Sequence, residues 1–199
     1  MFKIILLVFL CLSASDAFAA QDWCPFERKE GNLCPYTWNA HLIILGEKYL
    51  SSSDWRGSNS TQGLYAAEIE IKHQTWPCYI NFGLFSSRDE YFDKKANAAT
   101  NEISLGLKKI WRWKDKLAPF LSGGLGYFYG KLGKTEQPSD GHYSGTGIGC
   151  WASTGIYYFF NHNIHFGGLT RYSQGDVKIN GRKLNAGGTQ IGFLIGYHF

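Results

Sequence analysis

The chain of 199 residues is 44% hydrophobic and 18% charged, with 24 Gly, 14 Phe, 12 Tyr and 7 Trp. It is too rich in large side chains for a disordered protein and, lacking a G-X-Y period, is no collagen. The formal net charge of +4 is too mild, and too interspersed with Asp and Glu, to indicate a nucleic-acid partner.

At the N-terminus, Lys3 precedes the apolar run Ile4-Ile5-Leu6-Leu7-Val8-Phe9-Leu10-Cys11-Leu12, and Ala17-Phe18-Ala19 carries small residues at the two sites a signal peptidase reads. Residues 1–19 therefore read as a signal peptide cleaved after Ala19. Leu10 before Cys11, and Cys24 beyond the cut, argue against a lipoprotein. Residues 20–37 form a short exported tail in which Cys24 and Cys34 flank a Pro-containing segment. In an oxidising compartment a Cys24–Cys34 disulfide is expected, with either of them bonded to Cys78 as the alternative. Cys150 lies well inside a strand segment, too far from Cys78 to bond at about 3.3 Å per residue. No His stands at ligand spacing beside the pair, so neither metal nor cofactor is expected.

Beyond the tail, period-two alternation recurs at roughly 38–50, 62–74, 79–87, 99–113, 117–130, 145–159, 162–173 and 188–199, and no apolar run reaches 18 residues. The connections alternate in length. A polar stretch from Ser51 to Thr61 is followed by Thr75-Trp76-Pro77-Cys78, then by Arg88 to Ala98, Lys114-Asp115-Lys116, Lys131 to Ser144, Phe160-Asn161 and Gln174 to Gly187. Short turns on one side and long loops on the other mark an up-and-down barrel inserted from one side of a membrane, although soluble barrels share the topology.

Polarity separates the two. Ile103, Leu105, Leu107, Trp111 and Trp113, interrupted by Lys109, share one face of their segment against Glu102, Ser104, Gly106, Lys108 and Arg112, and Ile191, Phe193, Ile195, Tyr197 and Phe199 share one face of the last. The polar faces carry charge and glycine, as a narrow lumen requires, so the apolar stripe should look outward to lipid. Trp38, Trp76, Tyr79, Trp111, Trp113, Tyr158, Tyr197 and Phe199 fall near the short-turn end and Tyr49, Tyr65, Tyr127, Tyr129 and Tyr172 near the long-loop end, giving two aromatic belts. The fold expected is an all-β, eight-stranded antiparallel up-and-down transmembrane β-barrel over 38–199.

The segments Arg171-Tyr172-Ser173, Asp176-Val177, Ala186-Gly187-Gly188 and the ending Gly192-Phe193-Leu194-Ile195-Gly196-Tyr197-His198-Phe199 resemble the C-terminal hairpin of small Gram-negative outer-membrane β-barrel proteins, the OmpA/OmpX-like, opacity-protein-like group. The terminal Phe with aromatic or aliphatic residues at every second position is similar to the signal read by the barrel-assembly machinery. That pattern often has Gly five positions before the terminal Phe, where this chain has Leu194 between Gly192 and Gly196. The resemblance implies an integral outer-membrane location, insertion by the assembly machinery, a periplasmic tail, and contact with outer-membrane lipids and lipopolysaccharide.

Glu68, Glu70, Lys72, Glu102, Lys108, Arg112 and Arg171 are expected to face the lumen. Eight strands leave room for side chains but little for a channel, so paired charges should plug the interior; a conducting or ligand-binding lumen is the alternative. His41, His165 and His198 should point inward as hydrogen-bonded filler. A His-x-Ser pair two residues apart would place base and nucleophile on one strand face, as in the outer-membrane lipid A deacylases. Near the top of the seventh segment this chain has Arg171-Tyr172-Ser173, whose Arg cannot be the base, and its one His-x-Ser, His142-Tyr143-Ser144, falls in a long connection. The expected role is a non-enzymatic structural or surface-interaction protein acting through four long loops, with a lipid A hydrolase or a small pore as alternatives.

Overall fold

Strands with one apolar and one polar face, paired edge to edge, leave no open edge only if the sheet closes on itself. The computed structural model describes residues 36–50, 61–88, 96–111, 116–134, 143–161, 163–179 and 181–199 and shows that closure. In chain order the strands are β1 (Tyr36–Leu50), β2 (Thr61–His73), β3 (Tyr79–Arg88), β4 (Ala96–Ile110), β5 (Leu117–Lys134), β6 (Tyr143–Phe159), β7 (Ile164–Ile179), β8 (Arg182–Asn185) and β9 (Gly188–His198). Each of β1 to β7 pairs antiparallel with the next, and β9 pairs with both β7 and β1, which completes the ring. Eight strands thus make the barrel, and β8 stands on β7 above it.

Polarity along the strands is that of a membrane barrel. Ile103, Leu105, Ile191 and Phe193 are about half exposed or more, whereas Glu68, Glu102 and Arg171 are buried. Leu42, Ile69, Phe82, Leu84, Leu107, Leu125, Ile148 and Phe166 extend the apolar outer wall. Trp38, Trp76, Tyr158, Tyr197 and Phe199 are exposed toward the short-turn end and Tyr49, Tyr65, Tyr127 and Tyr172 toward the long-loop end, forming two belts.

Two departures from simple alternation matter. In β1 the register slips between Ile43 and Gly46, and Leu45 adopts a left-handed φ of 53°. Ile44 and Leu45 both face outward, the latter 80% exposed, so the inward set changes from Asn39, His41 and Ile43 to Gly46 and Lys48. The second departure corrects the long loop expected from Gln174 to Gly187. There β7 continues to Ile179 and hairpins into β8, with Val177 paired to Leu184 and Lys178 to Lys183. Asn180-Gly181 is the hairpin signal, and Gly181 takes the positive φ of 75° such a turn needs.

Apolar residues of this hairpin are buried. Val177, Ile179, Leu184 and Ala186 cluster with Ala98 of β4 and Phe128 of β5, and Leu50 and Leu132 pack against them. The hairpin leans on the inner face of β6, because Gly145, Gly147 and Gly149 leave space for the carbonyls of Lys178, Asp176 and Gln174 where any Cβ would collide. An apolar cap thereby lies over the long-loop end of the lumen.

Candidate functional site in the barrel lumen

Inward positions of six strands build a polar cluster toward the short-turn end. Lys108 of β4 donates to Glu68 at 2.9 Å and to Glu70 at 2.5 Å, both on β2, and to the Tyr157 hydroxyl of β6 at 3.1 Å. Tyr157 in turn donates to Glu70 at 3.1 Å, and the other Glu70 oxygen accepts from Asn39 at 3.1 Å. His198 Nδ1 reaches Asn39 Oδ1 at 2.5 Å. His41 of β1 places Nδ1 3.3 Å from Glu70 and Nε2 2.7 Å from Nε2 of His165 on β7. Gly196 of β9 lies in register between these two histidines, and a Cβ there would run into both rings. The glycine makes the imidazole pair possible.

A second polar cluster lies nearer the long loops. Arg171 of β7 forms an ion pair with Glu102 of β4, and its guanidinium is sandwiched between the rings of Phe85, at 4.1 Å, and Trp151, at 3.9 Å. Lys48, turned inward by the β1 bulge, donates to Thr100 Oγ1 at 2.8 Å and to the Ala186 carbonyl at 2.7 Å. Thr100 and Ser87 hydroxyls are 2.6 Å apart, and Ser87 donates to Gln62 at 2.8 Å. An apolar cluster of Ile43, Leu64, Phe85, Phe120, Leu169 and Leu194 links the two polar ones: Phe120 stacks on Tyr157 at 4.5 Å, while Phe85 lies under Arg171.

Of the expected lumen charges, Glu68, Glu70, Glu102, Lys108 and Arg171 are buried and paired. They form two groups, not one network. Lys72, on the same face of β2 as Glu68 and Glu70, is half-buried near the strand end with its Nζ 5.7 Å from the Tyr79 ring. Arg112, Cys24 and Cys34 lie outside the described residues. Among the described residues Cys78 and Cys150 form no disulfide. Burial pushes the Cys78 thiol above its ordinary pKa, against the opposing pull of Lys109 and Lys72.

Lys48 was missed by the sequence reading, since uninterrupted alternation puts Glu47 inside and Lys48 outside; Gly46 within a strand was the available signal of a bulge. The histidines, read as separate fillers, meet. His41, Glu68 and Glu70 also bring ligand atoms within 4.8 Å of one another, as a metal site would, but the Lys108 ammonium already sits against both carboxylates. The catalytic alternative fares differently at its two places. Ser173 is fully buried in the lumen, while Ser144 is exposed on β6, a strand rather than a loop, and His142 lies outside the described residues.

No protein-family model and no curated protein matches the chain. Solved structures do. Neisserial surface protein A superposes with a TM-score of 0.54 at 13% identity, over 82% of this chain and 94% of that one. The N-terminal β-barrel domain of Pseudomonas aeruginosa OprF gives 0.52 at 16% identity, over 83% and 98%. Yersinia pestis Ail, the attachment invasion locus protein, in complex with the heparin analogue sucrose octasulfate gives 0.55 at 10% identity, over 82% and 99%. With its inward charges, outward apolar wall and closed ring of eight strands, the chain has the fold of the small integral outer-membrane β-barrels.

Proposed function

We propose that this protein is a non-enzymatic component of the Gram-negative outer membrane, a sealed barrel that serves as a rigid mount for its long-loop end. That end engages polyanionic surface chemistry, the phosphates of lipopolysaccharide first. The observation that carries this reading is the charge of the rim. Arg88, Lys178, Arg182 and Lys183 are exposed at the loop ends of β3, β7 and β8, and half-buried Lys131 joins them on β5. Among the described residues the exposed acids there, Glu47 and Asp176, are fewer, and Glu47 already accepts from Tyr49 at 2.5 Å. The sulfated ligand held by Ail, a barrel of the same fold, supports a polyanion as the class of partner.

Sucrose octasulfate titrated against the barrel in lipid nanodiscs tests it. Binding that weakens with salt, and weakens further in a Lys178→Gln, Arg182→Gln, Lys183→Gln variant, is the expected outcome. Saturable binding indifferent to these substitutions, or no binding at low salt, would rule the rim out. Ser173 sits inside the wall, whereas lipid lies outside it, which opposes a hydrolase. Ser144→Ala and Ser173→Ala should therefore leave the lipid A mass spectrum of expressing cells unchanged.

A further inference from the structure

The buried charges of the lumen balance overall but not locally. Glu68, Glu70 and Lys108 leave the cluster at the short-turn end with one negative charge in excess. Among the described residues the other cluster holds Lys48 and Arg171 against Glu102 alone, one positive charge in excess. Lys48 is 2% exposed, and its ammonium contacts a hydroxyl and a carbonyl but, among the described residues, no carboxylate within ion-pair distance. A buried cation without a counter-charge is costly.

Unfilled hydrogen-bonding groups converge at the same place. Lys48, Gln190 and Arg171 stand side by side in register on β1, β9 and β7, all facing inward, and Ser173 is the next inward residue of β7. Gln190 has no partner for either amide atom, Ser173 none for its hydroxyl, and Arg171 none for Nε or Nη1. With the Phe85 and Trp151 rings 4.1 and 3.9 Å from its Cζ, Arg171 keeps Nε and Nη1 as its open donors.

We infer that Lys48, Gln190, Arg171 and Ser173 form an internal binding site for one small monovalent anion of the halide class. The anion neutralises the surplus charge and accepts from Arg171, the Gln190 amide and the Ser173 hydroxyl. Glu102 Oε2 is unpartnered as well and, as an acceptor, repels an anion, which places the ion on the Nε and Nη1 side of the guanidinium, away from the ion pair. One surplus charge limits the site to one such ion.

Bromide is the probe. Crystals of the full chain soaked in sodium bromide should show an anomalous peak within hydrogen-bond distance of Arg171 and Gln190. In solution, unfolding at constant sodium concentration with gluconate exchanged for bromide should shift toward the folded state, approaching a tenfold gain in the folded-to-unfolded ratio per tenfold bromide once the site's Kd is passed. Gln190→Glu builds a carboxylate into the site and should fold without any bromide response; should it fail to fold, Lys48→Met removes the surplus charge and should lose the response likewise. Water alone at the site in bromide-soaked crystals, with unfolding indifferent to bromide, would overturn the assignment. A bromide response that persists in the variants would overturn it too, as a general salt effect.

Discussion

Lys108 is the residue on which the short-turn cluster depends, since its one ammonium serves two buried carboxylates and a tyrosine hydroxyl. Lys108→Met strands Glu68 and Glu70 in the wall, and removing one partner of a buried pair costs about 3–5 kcal/mol. Urea unfolding of the refolded barrel should show a loss of that order, part of which the double variant Lys108→Met, Glu68→Gln recovers. Cys78 offers a second check at this scale. Burial holds its thiol above the ordinary range, so the reactive thiolate is scarce at neutral pH and grows only as pH rises through the raised value. Iodoacetamide labelling of Cys78 should follow a pH curve displaced to the alkaline side of a free cysteine's. Five of the seven expected lumen charges could be found from alternation because their strands keep a strict period; Lys48 could not, because a single residue, Leu45, resets the parity ahead of it.

At the scale of elements, the β7–β8 hairpin shows how a connection that reads as polar loop becomes structure. Lys178, Arg182 and Lys183 made the segment look solvated, yet the alternate residues Val177, Ile179, Leu184 and Ala186 are buried and the charges face water. Charge along β8 also guards its unpaired outer edge against foreign strands. The hairpin depends on the glycine face of β6. Gly147→Val puts a branched side chain where the Asp176 carbonyl lies, so amide exchange at Val177 and Leu184 should accelerate while exchange in β1 to β4 stays slow. The histidine pair was hidden for a related reason: His41 and His165 stand 124 positions apart, and only the closure of β9 between β1 and β7 brings them together.

For the whole molecule, the strand rhythm and the outward apolar stripe were enough to give the barrel and its solvent, because both follow from local alternation repeated eight times. What the interior does required coordinates, since contacts across a lumen join residues with no sequence relation. The filling is layered. An ion-paired cluster, the Phe85 and Phe120 group, a second cluster around Arg171, and the hairpin cap follow one another along the lumen, which favours a sealed interior. Planar-bilayer recordings should therefore show no sizeable steady current, and discrete conductance steps from pure protein would contradict a sealed interior.

The kink in β1 carries a consequence for how such proteins diverge. Inside and outside are assigned by counting, and Leu45 is the one supernumerary residue of the strand, so a reading-frame-preserving loss of its codon would leave Ile43, Gly46 and Lys48 at every second position and still inward. The pairing to β2 and β9 on either side of the kink would keep its register. A lineage can thus straighten this wall in one three-nucleotide event without changing a single inner side chain.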